Sequence, residues 1–211
     1  MSLVLELGGL KRPPASLAGD ELLTGPDPSA CMVSGVMFAA RKQLLLSLVG
    51  DPGFYDVVSL LSPASMQPAL HPVAGTWVPF AALVELDKAI HERLHHRYPH
   101  ILTYVGAASA ELGISRVYRE LDIEELVAFL SGIARFHHQY QNYGRVEFER
   151  TPNGARMRYL DYPCYSRFFC ASGDGFFLEA ILRHGGKEPD VHEVRCHCWG
   201  DGVCEYEMTW R

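Results

Sequence analysis

The chain has 211 residues, 48% of them apolar and 21% charged, a balance that excludes disordered and fibrous classes and fits one globular domain with a substantial core. Its 19 Lys and Arg against 25 Asp and Glu leave a net charge of −6, which excludes the clustered basic footprint that nucleic acid requires. No apolar run reaches the roughly 18 residues of a membrane span, and Met1–Leu10 lacks the positive start of a secretory signal, so the expected setting is cytoplasmic.

Residues 1–31 read as an arm or linker, because Pro13, Pro14, Gly19, Gly25, Pro26 and Pro28 interrupt any helix face or strand. Residues 32–211 read as a single domain. A helix is predicted over Met32–Val49, with Phe38, Leu45, Leu46 and Val49 toward one face, and a short one over Pro52–Leu61. A loop is predicted over Ser62–Val78. Pro79–Arg97 spaces Phe80, Leu83, Leu86, Ile90 and Leu94 by three and four, an amphipathic helix. In Ile101–Leu112 the small residues Gly106, Ala107, Ala108 and Ala110 would admit a close neighbour. Asp122, with Glu125 three positions on, has the form of a capping box opening a helix to about Tyr140.

The period changes after Gly144. Arg145–Arg150 alternates polar and apolar, Pro152-Asn153-Gly154 supplies turn chemistry, and Met157 and Tyr159 continue on a returning strand. Helical spacing returns from Phe169 to Ile181 and stops at Gly185-Gly186. Val191–Trp199 and Val203–Trp210 then flank a turn at Gly200-Asp201-Gly202. The order predicts an α+β fold: N-terminal helices packed on a four-stranded antiparallel sheet, ending in a zinc-binding helix and hairpin.

Five of the six cysteines lie between Cys164 and Cys204, a concentration that points to use of the thiols. Tetrahedral zinc needs four ligands, and a helix thiol can meet thiols on two strands: Cys170, Cys196 and Cys204. For the fourth ligand the residues leave Glu193, His192, His197, Cys198 and Cys164 open. Cys31, Cys164 and Cys198 read as ordinary buried thiols when not ligands.

The run Gly173–Trp210, with Glu193-Val194-Arg195-Cys196 and Gly200-Asp201-Gly202-Val203-Cys204-Glu205-Tyr206, resembles the 4-vinyl reductase domain. Val33-Ser34-Gly35, Trp77-Val78-Pro79-Phe80 and Ala107-Ala108-Ser109-Ala110-Glu111 are similar to an uncharacterised myxobacterial paralogous family of the same wider fold, which also takes in haem nitric-oxide-binding domains and Golgi transport (TRAPP-like) subunits. The resemblance implies a three-Cys, one-Glu structural zinc site of Cys170, Glu193, Cys196 and Cys204, and a signalling domain that pairs as a homodimer through its helices. One point of geometry opposes it: Glu193 and Cys196 have opposite parity on a regular strand, so either Glu193 precedes the strand or a bulge separates them. The set would carry a charge of about −2, for which Arg195 and Arg167 are the candidate neighbours.

A closed, thiolate-rich shell leaves no open position for water. The chain has no His-Glu-x-x-His, no Gly-x-Ser-x-Gly and no phosphate loop, so no enzyme is expected. The expected function is a sensory or regulatory module that binds a small apolar or aromatic ligand and signals through a partner protein. Its pocket is assigned to Trp77, Tyr104, Phe136, His137, Tyr140, Phe169 and Phe176. The alternatives are an interaction module without a ligand and, below it, a haem-based gas sensor. That family binds haem propionates with Tyr-x-Ser-x-Arg, and this chain has only Tyr165-Ser166-Arg167. His91, His95 and His96 read as a solvated helix face.

Overall fold

The computed structural model describes residues 17, 25, 27–116 and 125–211. Its architecture is α+β, with six helices and two antiparallel sheets among the described residues. Strand β1 (Met32–Ser34) pairs with β2 (Trp77–Pro79). Both were expected elsewhere, β1 inside a helix and β2 in a loop. Three residues carry too little pattern to mark a strand, and the pairing spans more than 40 positions of chain.

Helix α1 (Val36–Val58) joins the two helices expected over 32–61. Gly50, at φ 65° and ψ −174°, breaks it where the expected interruption lies, and Pro52 opens the second part. The expected loop at 62–78 holds a short α2 (Pro63–Leu70), again with Pro in its first turn. The amphipathic α3 is Phe80–Leu94 and α4 is Ile101–Arg116. Helix α5 (Leu126–Phe136) is capped by Glu125, whose carboxylate accepts from the N–H groups of Val127 and Ala128. The expected cap Asp122 lies outside the described residues.

Strands β3 (Arg145–Thr151) and β4 (Gly154–Leu160) form the expected hairpin. Helix α6 (Arg167–Arg183) follows, then β5 (Asp190–Arg195) and β6 (Cys204–Thr209). The sheet runs β3-β4-β6-β5. Met157 on β4 and Cys204, Tyr206 and Met208 on β6 are buried toward the helices. The other face carries a lattice of ion pairs in which Arg156 and Arg158 bridge Glu149, Glu205 and Glu207.

Two glycines bring α4 against α6. A Cβ on Gly106 would stand 1.7 Å from the Ser172 carbonyl oxygen, and one on Gly175 would stand 1.8 Å from that of Thr103. The small residues read on α4 therefore serve backbone-to-backbone contact, which places the start of α6 and everything it carries. Cys31 and Cys164, expected as free thiols, are joined in a disulfide. Packing explains the correction: Asp27 N–H donates to the Pro163 carbonyl, bringing two segments far apart in sequence side by side.

Candidate functional site

The C-terminal thiols converge through three local features. Cys170 lies in the first turn of α6 and turns toward β6, where Cys204 is the first residue. The register of β5 against β6 shifts between Glu193 and Arg195, a bulge that resolves the parity problem of Glu193 and Cys196. Cys196 follows the strand as the extended residue before the 3₁₀ turn His197–Trp199, so the expected strand to Trp199 ends at Arg195. Gly200, at φ 89°, closes the turn, and Asp201 Oδ2 accepts from Cys196 N–H at 2.9 Å.

The result gathers Cys170, Glu193, Cys196 and Cys204, whose ligand atoms all lie within 4.8 Å of one another. The Cys170 and Cys204 sulfurs are 3.9 Å apart and those of Cys204 and Cys196 are 4.0 Å apart. Arg167 pairs with Glu193 Oε2, lies 3.6 Å from Cys196 Sγ and covers the Trp199 ring at 4.5 Å. Of the two arginines considered, Arg167 meets the cluster and Arg195 is exposed. Burial pushes the Glu193 carboxyl up to about 8 against the pull of Arg167, and Glu193 Oε1 is buried without a partner. Hydrogen bonds from the neighbouring thiols hold Cys196 well below the usual thiol range, while Cys170 is pushed well above it. Three sulfurs and a carboxylate oxygen at this spacing form a donor set for a four-coordinate cation. Cys198 is half-buried and packs against the group.

Beside the cluster, a cavity of about 140 Å³ lies between α1, α4, α6 and the sheet. Four of the seven expected pocket residues line it: His137, Tyr140, Phe169 and Phe176. The other three do not. Trp77 is 46% exposed on β2, Tyr104 is buried elsewhere on α4, and Phe136 is half-buried at the end of α5. His137 Nε2–H donates to the Tyr143 carbonyl at 2.9 Å and lies 3.2 Å from Tyr162 Oη, which in turn donates to Gln141 Oε1 at 3.1 Å. Burial holds the His137 imidazole below its ordinary range, so it is neutral. Ser166, unassigned from sequence, lines the cavity at 1% exposure with its Oγ unpartnered. The available signal was its place just before a helix.

No protein-family model and no curated protein matches the chain. Solved structures do. An H-NOX protein from S. oneidensis in the Fe(II)NO state aligns at TM-score 0.67 and 14% identity over 84% of this chain and 99% of that one. An oxygen-binding H-NOX domain related to soluble guanylate cyclases aligns at TM-score 0.60 and 14% identity over 84% and 95%. A structure described as modulating haem redox potential through porphyrin distortion aligns at TM-score 0.61 and 14% identity over 84% and 95%.

These neighbours correct several expectations. The resemblance to the 4-vinyl reductase domain and the TRAPP-like subunits gives way to the H-NOX fold, which the sequence suggests only as a distant relation. The expected zinc-stabilised sensor module, with structural zinc as its cofactor, is likewise overturned: the neighbours' names carry iron and haem. A haem in this chain can be tested on its own residues. The cavity, at about 140 Å³, is smaller than the roughly 300–1,000 Å³ of pockets for drug-sized ligands. His137, the only histidine among the described residues that lines it, has committed Nε2 as a donor. Arg41 and Arg167 are bound to Asp87 and Glu193 rather than available to propionates. The residues present do not fit a haem. At 14% identity the likeness speaks for architecture alone, and the chain has the fold of the H-NOX domains.

Proposed function

We propose that the chain is a small-ligand receptor domain on the H-NOX fold, which takes an uncharged, mainly apolar molecule directly into its interior cavity and does not transform it. The observation that supports this most is the cavity itself: aromatic and aliphatic walls from α1, α4 and α6, with His137, Tyr162 and Ser166 as polar handles. A cavity of comparable size engineered into another protein, about 150 Å³, binds benzene. A fragment screen by thermal shift tests the proposal, since a ligand bound only by the folded state raises stability by mass action. At least one neutral ring-sized compound is expected to stabilise the chain, and an Ala40→Leu variant, which adds bulk at the cavity wall, is expected to lose the response. The absorption spectrum tests the haem reading that the fold favours. Stoichiometric uptake of added haemin, with an axial band lost in His137→Ala, would replace the present proposal.

On their own geometry, Cys170, Glu193, Cys196 and Cys204 are proposed as a cation site, supported by the unpartnered, buried Glu193 Oε1. Elemental analysis of chain purified without chelator is the test. A near-stoichiometric metal that drops in Cys196→Ser supports it, and metal-free protein with an unchanged fold sinks it.

A further inference from the structure

Serine is among the best residues for ending a helix at its N-terminus, because its hydroxyl accepts from the N–H two or three positions on. Ser166 occupies that position on the 17-residue α6, in extended conformation at φ −147° and ψ 136°, and makes no such bond. Its Oγ has no hydrogen-bond partner, its exposure is 1%, and it lines the cavity. Leaving a buried hydroxyl without a partner is unfavourable, so its placement needs a compensating group. The cavity is where that group can enter.

The same wall carries the end of α6. The first N–H groups of a helix have no acceptor within it and form the positive end of its dipole. Phe169, in that first turn, also lines the cavity. Hydroxyl and helix end together favour a ligand atom that accepts hydrogen bonds. A full negative charge is disfavoured, because burying it against this mainly apolar wall needs a cation to pair with, and the lining offers none that is free. Arg41, at another part of the wall, is already neutralised by Asp87. The rest of the lining is mostly apolar, its polar side chains Ser109, His137, Gln141, Tyr162 and Ser172 being already hydrogen-bonded within the protein, and the space suits a single ring.

We propose that Ser166 and the N-terminus of α6 form the polar subsite of the cavity, taking the carbonyl-type oxygen of a small, uncharged, otherwise apolar ligand. This rests on the receptor reading above, and it adds the ligand's chemical class and the residue that selects it.

The test uses two probes of nearly equal shape, cyclopentanone and methylenecyclopentane, which differ in whether an oxygen or a methylene projects from the ring. Binding to the full chain is measured by ligand-observed NMR for the wild type and for Ser166→Ala, with Ser166→Gly as a second variant that helix starts tolerate. Loss of one hydrogen bond should weaken the ketone about two- to tenfold and leave the alkene within about twofold. Equal changes for both probes, or none, would overturn the subsite while leaving the cavity reading in place. A wild type that takes the alkene and refuses the ketone overturns the subsite in the same way. Binding of neither probe to the wild type overturns both.

Discussion

Arg41 on α1 and Asp87 on α3 form a two-pronged ion pair at 2.7 and 2.9 Å with exposures of 1% and 0%. The guanidinium also donates to the Met37 carbonyl and Ser109 Oγ, so it ties α1, α3 and α4 together along the cavity wall. Removing one partner leaves an uncompensated buried charge. Asp87→Asn is expected to lower stability by about 3–5 kcal/mol in denaturant unfolding, and the double variant Arg41→Met/Asp87→Leu to recover much of that loss.

The contact of α4 with α6 has no room for a side chain at Gly106. Because the obstacle is the Ser172 backbone rather than a flexible side chain, Gly106→Ala should cost about 3 kcal/mol, at the upper end for overpacking. Gly75→Ala meets nothing within 4 Å and should stay within about 0.5 kcal/mol. Similar unfolding midpoints for the two variants would contradict the helix contact.

The Cys31–Cys164 disulfide spans 133 positions, a closure expected to contribute about 5 kcal/mol through the unfolded chain. Unreduced protein in denaturant should titrate four thiols, corresponding to Cys170, Cys196, Cys198 and Cys204. Cys31→Ser should melt lower than wild type without reductant and match it with reductant present. A count of six thiols would refute the bond.

His137 is held neutral by burial, below its ordinary value of 6.5. The unfolded chain therefore binds a proton that the folded chain refuses, so stability is level above about pH 6.5 and falls as pH drops below it. His91 is shifted in the same direction, chiefly by burial, and adds to the slope. His137→Gln should flatten, without abolishing, the loss between pH 6.5 and 5 in urea titrations; an unchanged slope would show that His137 already protonates in the fold.

Much of the architecture was legible because its causes are local. The alternation of Arg145–Arg150, the Pro152-Asn153 turn, the three-and-four spacing of Phe80–Leu94 and the glycines at 106 and 185 act within a few residues of themselves. The residues also nominated Cys170, Cys196 and Cys204 as one group, and the resemblance singled out Glu193 from five open candidates for the fourth place. The sequence suggested the H-NOX fold only as a distant relation, because at 14% identity that likeness resides in how elements pack. Nor could it bond Cys31 to Cys164 or match Arg41 with Asp87, since those partners meet only when distant segments are brought together by burial. The direction of Ser166 is the finest case. A serine before a helix predicts a cap, and only the fold turns the hydroxyl away from its own backbone to a cavity wall, where the geometry of α4 against α6 has fixed the helix end.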